Sequence, residues 1–415
     1  MLLSFCSSPR LPPKNPSGKI ESFTSLEPSH HKPTNMTDSF SQLTESKSSG
    51  APAVFDKLVE SLKASKDYHR LFDATLMQKK QQLGLPLLRP TSLDDVPADK
   101  RTEFEKTYVE AAREAGQLFL EAGQIANAWL YFRTIREPGP VATALEAMPS
   151  RREPGDETEE LIQVALFDGA NPSKGVQWML KTHGTCSTIT SLEQQMVRLP
   201  ADDRKRCAAI LVKHLYTDLT ESVQADVQRR MALAPPTDSL REAIAGRDWL
   251  FQEGNYHIDV SHLNAVVRFA RFLDKDCPEL KLAIELSEYG SRLDPQFQYP
   301  GDPPFGEFYP AHRHYFLALA GEKIDDAIAY FKEKLNAEPD EPDKQLIAYV
   351  LVDLTSRIGR WDDAVQLAEQ HLLNLEDSSS FSFSELCRDA GRMDVLQRVA
   401  QSKNDLVTFT AALLS

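Results

Sequence analysis

An all-α chain is what this sequence predicts, and three observations carry the prediction. From Ala53 to Leu414 apolar residues recur at three- and four-residue steps, the spacing that lines one face of a helix. No run alternates apolar and polar residues as a half-buried strand requires. Between Phe308 and Asp377 one pattern of two helices occurs twice, each pair joined at a glycine. The expected fold class is therefore all-α, built from stacked helical hairpins.

Taken in order, residues 1–52 are rich in Ser, Pro, Thr and Lys and show no period. They hold too little apolar surface to offset the entropy of ordering, so a disordered tail is expected, with Met36 a candidate start. The opening residues are too few and too polar for a signal peptide. Val54, Leu58, Leu62, Leu71 and Leu76 then mark helices, until Leu85–Pro90 interrupts them. A hairpin is expected over about 101–135, stopped by the prolines Pro138 and Pro140, which cannot continue a helix.

A short helix near 141–148 leads to an exposed loop through Gly155, and helices follow near 156–167, 173–182 and 190–198. Asp202 or Asp203 opens a long helix in which Leu211, Leu215, Leu219, Val223 and Val227 step by four as a buried stripe. Ala234-Pro-Pro236 is the expected domain boundary, dividing an N-terminal helical region, 53–235, from a C-terminal one, 236–415. Further helices are expected near 238–253, 259–274 and 278–293. The stretch 295–310 holds five prolines, with Phe297, Tyr299, Phe305, Phe308 and Tyr309 among them. A loop of that length is either packed down by its aromatics or functional. Helices near 382–390 and 393–413 read as a terminal cap.

The repeated pattern is Gly321-Glu-Lys-Ile324-Asp-Asp-Ala327, ending at Pro339, and Gly359-Arg-Trp361-Asp-Asp-Ala364. Glycine suits a left-handed helix end, and aspartates suit the first turn of the next helix, whose N–H groups are unpaired. Alanine leaves room for the two helices to approach. Gly116 to Phe132 repeats the pattern, and Ala283 to Pro295 carries its second-helix ending. These offsets resemble the tetratricopeptide repeat, a 34-residue helix–turn–helix unit. The spacing departs from it: the Gly321 copy has one residue more before Ala327, and Glu376 stands where the Gly359 copy would have its proline. The resemblance implies a solenoid of helix pairs whose first helices line a concave face that takes extended peptides or helices.

Composition narrows the partner. The chain of 415 residues has a net charge of −14, and 236–415 alone, with 18 Lys and Arg against 31 Asp and Glu, has −13. Nucleic acid and anionic membranes need clustered cations, so neither is expected as a partner. A basic or neutral protein or peptide is. Five dispersed cysteines read as reduced thiols in a cytoplasmic protein, and no run of 18 apolar residues suggests a membrane span.

Chemistry is sparse. Gly169 to Gly175 lacks the spacing of a phosphate loop, no nucleophile elbow is present, and no cofactor is expected. The strongest catalytic pattern is His257, Asp259 and His262, with His312 and His314 beyond. Histidine and carboxylate bind divalent metals, so a metal-dependent enzyme with a histidine-lined cleft between the helical halves is the alternative function. Against it, His257 and His262 do not share an i, i+4 face, and Asp259 is better placed as the cap of a helix from Val260. The favoured function is a non-catalytic protein-interaction scaffold. The repeat pattern puts Tyr349, Asp353 and Arg357 on its concave face, Tyr315 beside them, and Arg113 and Gln117 at matching positions of the earlier unit. Tyr349 and Arg357 are expected to be exposed.

Overall fold

The computed structural model describes residues 36–415 apart from 232–234, 236, 299 and 376–380. Among the described residues there is no strand; twenty α-helices, short 3-10 segments and one π-helical turn over Gln163–Phe167 account for the regular structure. The chain divides into two compact units between Gly184 and Thr185.

The first unit contains α1 (Met36–Ser46), α2 (Ala51–Ala64), α3 (Tyr68–Gln82), α4 (Ala98–Glu121), α5 (Ile125–Thr134), α6 (Gly139–Glu146), α7 (Asp156–Ile162) and α8 (Pro172–Thr182). Its core is aromatic. The rings of Phe119 and Tyr131 stack at 5.7 Å, and Phe72 meets Tyr108 edge-on at 5.2 Å. The α4/α5 hairpin closes tightly because Gly116 has no Cβ; one added there would lie 2.7 Å from the Phe132 ring. Lys80 is fully buried, and its ammonium donates to the carbonyls of Arg89 and Ser92, which pins the loop after α3.

The second unit contains α9 (Gly184–Gln195) from Thr185 onward, α10 (Ala201–Arg230), α11 (Leu240–Ile244), α12 (Val260–Phe269), α13 (Glu279–Ser291), α14 (Phe308–Leu319) and α15 (Ile324–Ala337). It continues through α16 (Glu341–Arg357), α17 (Trp361–His371), α18 (Phe383–Asp389), α19 (Met393–Ser402) and α20 (Leu406–Leu414). From α14 onward consecutive helices pack as hairpins, and α14 also touches α16. Among the described residues no helix is long and apolar enough to cross a membrane.

One device closes these hairpins. At Gly321 and Gly359 the chain turns left-handed, with φ of +83° and +80°, and the next N–H reaches back five residues, Glu322 to Leu317 at 2.8 Å and Arg360 to Thr355 at 2.8 Å. The same bond follows Gly123 and Gly391, from Gln124 to Phe119 and from Arg392 to Cys387. It satisfies a carbonyl that the helix end leaves unpaired. The extra residue before Ala327 is absorbed by Lys323, which sits at φ +48°. Ala327 and Ala364 are then both fully buried at the start of their helices. Replacing Ala364 by Leu is expected to cost about 1–3 kcal/mol through overpacking, read as a lower urea midpoint; an unchanged midpoint would mean that α16 and α17 do not meet closely there.

Four expectations are corrected. Of the tail expected over 1–52, residues 1–35 lie outside the described residues, but 36–52 form α1 and the start of α2. α1 packs along α2, with the hydroxyls of Ser39 and Ser61 3.4 Å apart while Phe40 stays 66% exposed, so a polar, serine-rich stretch is helical here without a large buried apolar face. The proline pair near 235 does not divide the chain: the α10 stripe from Leu211 to Val227 is buried and packs against α11, α12 and α13, so helices on both sides of the prolines share one core. The helix expected over 238–253 is broken by Gly246 at φ +66° into α11 and a 3-10 stretch, Asp248–Gly254. The terminal stretch 393–413 is two helices, parted at Asn404, whose φ is +57°. The aromatic loop is packed down where it is described: Phe305 and Tyr309 are buried, and Phe305 stacks on His312 at 4.1 Å.

Candidate functional site

The face expected to grip a peptide is an interior seam. α16 does carry Tyr349, Asp353 and Arg357 one turn apart, and α14 brings Tyr315 beside them. Tyr315, however, is fully buried. Its hydroxyl donates to the Asp353 carboxylate at 2.5 Å and accepts from Arg357 at 2.8 Å. The Arg357 guanidinium also donates to the carbonyls of Arg271, at 2.7 Å, and Leu273, and pairs with Asp274 at 3.3 Å. Burial opposes its charge, yet Tyr315, Asp353 and Asp274 together hold its pKa above the ordinary value. Burial, then Asp353, pushes the Tyr315 hydroxyl well above the usual phenol range. The expected exposure of Arg357 is thus wrong, because the turn after α12 lies against it and uses its donors. Tyr349 is half-buried, its ring edge-on to Phe381 at 6.3 Å.

Arg113 and Gln117 belong to the first unit and are exposed on α4. Arg113 is engaged by Glu137 through bonds of 2.9 and 2.6 Å, and Gln117 donates to Glu121 at 3.1 Å.

The histidines do not assemble a ligand set either. Among the described residues no three His, Cys, Asp or Glu side chains gather so as to hold a metal ion. Asp259 caps α12 as expected, accepting from the Ser261 N–H at 2.8 Å and its hydroxyl at 2.6 Å. His262 is half-buried. His314 stacks on Tyr330 at 4.4 Å. His312 is fully buried; its Nδ1 donates to the Phe308 carbonyl at 2.7 Å, and its Nε2 has no partner among the described residues.

His257 comes nearest to an acid–base group. It lines a cleft of about 470 Å³ with Asp226, Arg229, Arg230, Asn255 and Tyr256. Its Nε2 lies 3.3 Å from Asp226 and its Nδ1 2.9 Å from the Tyr289 hydroxyl, whose oxygen accepts the His257 backbone N–H at 3.0 Å. The Asp226 carboxylate can only accept, so a neutral ring carries its proton on Nε2 toward Asp226 and takes the Tyr289 hydroxyl proton at Nδ1. Burial favours this neutral ring by lowering the His257 pKa, against the pull of Asp226. A carboxylate and a hydroxyl on the two ring nitrogens follow the order of an Asp–His–nucleophile set, but Tyr289, which supplies the hydroxyl, is fully buried, so no nucleophile faces the cleft from this group. The group is a latch that ties α10 to α13.

The surface feature that sequence reasoning misread is α20. Asp405 caps it, accepting from the N–H groups of Val407 and Thr408 at 3.1 and 3.0 Å. Buried Ala412 sets it close on α19, and Gln397 donates to the Ala412 carbonyl at 3.0 Å. Its outer face is bare: Leu406 is 79% exposed, Val407 81%, Leu413 60% and Leu414 81%. No residue from Leu406 to Leu414 is charged. The signal available in the sequence was that no face of this helix is polar, whereas a terminal cap needs a polar outer face. The cations around α19 and in the turn into α20 are engaged within the chain, Arg398 with Glu369 at 2.8 Å, Arg392 with Asp362 at 2.6 Å and Lys403 with the Leu373 carbonyl at 2.5 Å. Comparison with protein-family models finds no match to the chain, and comparison with curated proteins finds none.

Proposed function

We propose that this chain is a non-catalytic scaffold of tetratricopeptide-like helical hairpins that engages a protein partner through the outer face of α20. The observation that carries this reading is the exposure of four large apolar residues, Leu406, Val407, Leu413 and Leu414, on a single nine-residue helix. Single exposed leucines are ordinary, but four large apolar residues exposed together on one uncharged helix mark a surface made to be covered. The concave face that the repeat resemblance implied is less favoured, because Arg357 and Tyr315 are held by their own chain. Dispersed cysteines fit a cytoplasmic setting.

The test uses the full chain with a photo-crosslinking amino acid at Val407 or, for comparison, at Gln117. Discrete protein adducts are expected from Val407 and should vanish when Leu406 and Leu413 are both replaced by Glu. No protein adduct from Val407, or adducts from Gln117 alone, would overturn the reading.

A further inference from the structure

We infer that the partner covering α20 is the α20 of a second copy of this chain, paired antiparallel about a twofold axis at Thr410. This rests on the reading of α20 as a protein-binding surface and names its occupant.

Three observations lead there. First, the exposed pattern reads the same in both directions. Large apolar residues sit at 406 and 407 and again at 413 and 414, with exposed Thr410 midway between them; Phe409, half-buried, and Ala411 flank it. A twofold interface requires that where residue i meets j, j also meets i. An axis at Thr410 places Leu406 against Leu414 of the second copy and Val407 against its Leu413. Thr410, which lies on the axis, is small enough to let the two backbones approach there.

Second, charge permits the pairing. The chain carries −14, and 236–415 carries −13, so most of its surface repels a second copy. From Leu406 to Leu414 the outer face of α20 carries no charge, so apolar residues meet there without a Coulomb cost. Only at the two ends does the Asp405 carboxylate come opposite position 415 of the second copy, where both groups are exposed and screened by water and salt. Nor does the face select a charged partner, since Arg398 and Arg392 are held by Glu369, Asp362 and Asp394.

Third, the spacing is that of a helix–helix seam. Leu406, Thr410 and Leu413, and beside them Val407, Ala411 and Leu414, each follow i, i+4, i+7, two adjacent rows on one side of a helix. A nine-residue helix is only about 13 Å long. The contact therefore falls below the roughly 800 Å² per partner of a standard interface, and the dimer is weak and concentration-dependent.

The experiment is sedimentation equilibrium of the purified full chain across a wide concentration range, with circular dichroism to confirm that each variant is folded. The mass should rise from 46.6 kDa toward twice that value, and added salt should not weaken the association, because no ion pair holds it. Leu406→Glu should remain monomeric. Adding Leu414→Lys to it should restore the dimer, since the carboxylate introduced at position 406 then faces the ammonium introduced at position 414 of the other copy. Within one helix these positions are eight residues apart and do not pair. Leu406→Glu with Leu414→Glu should stay monomeric.

A chain that stays monomeric throughout overturns the self-pairing; Val407 adducts to a different protein would then leave the scaffold reading standing, and no adducts at all would remove both. A dimer that survives Leu406→Glu overturns α20 as its interface. Failure of Leu414→Lys to rescue, with the parent dimeric, overturns the antiparallel geometry.

Discussion

Replacing Arg357 by alanine is expected to destabilise the chain by about 2–4 kcal/mol, the range for removing one member of a largely buried charged network. The guanidinium answers the carbonyls of Arg271 and Leu273, the Tyr315 hydroxyl and the carboxylates of Asp274 and Asp353. Its side chain is only 21% exposed. Alanine would leave the two carbonyls and the Asp353–Tyr315 pair without that donor. Water can reach Asp274 and Asp353, at 48% and 38% exposure, which keeps the cost below that of a fully enclosed pair. Arg357→Lys keeps the charge but not the flat, forked donor set, so an intermediate loss is expected. Urea unfolding of the three proteins measures it. A loss below about 0.5 kcal/mol for Arg357→Ala, as for an ordinary surface substitution, would mean that the guanidinium stands free, and α16 would return as a recognition face.

The reason this was hidden in the sequence is physical. Spacing along α16 places Tyr349, Asp353 and Arg357 on one side correctly, because helical geometry is local. What lies opposite that side is not local. The carbonyls that engage Arg357 come from Arg271 and Leu273, more than eighty residues earlier, and no pattern within α16 announces them. Arg113, engaged by Glu137, shows the same limit.

Features set by local chemistry were legible. The all-α class, the glycine turns at Gly321 and Gly359, the Asp259 cap and the buried stripe of α10 each follow from a few neighbouring residues. The domain boundary was not, because Ala234-Pro-Pro236 reads as a break whether it separates two cores or only two helices of one core. α20 was half legible: helix was expected there, as the end of one helix over 393–413, but its role turned on whether its outer side is polar, which composition alone answers.

The last expectation concerns acid. His312 is fully buried among Phe305, Phe308 and Phe316, with ring centroids 4.1, 4.3 and 5.9 Å away. Burial, then the Arg271 charge, pushes its pKa down to about 3 from 6.5. Between pH 6.5 and 3 the unfolded chain therefore binds a proton at this site that the folded chain refuses. The stability that neutral His312 contributes is complete above pH 6.5 and is lost as pH falls toward 3, at about 1.4 kcal/mol per pH unit. His69, His257 and His314, also lowered chiefly by burial, add to the acid sensitivity of the parent but not to a difference between it and a variant that keeps them. His312→Phe removes the titration and the unpaired Nε2 together, whatever it gains or loses in packing at pH 7. Unfolding free energies measured from pH 7 to 5 should show the variant gaining on the parent by about 1.4 kcal/mol for each unit below 6.5. A difference that does not change with pH would mean that His312 charges in the folded state, through a route for water or protons into the aromatic cluster of α14.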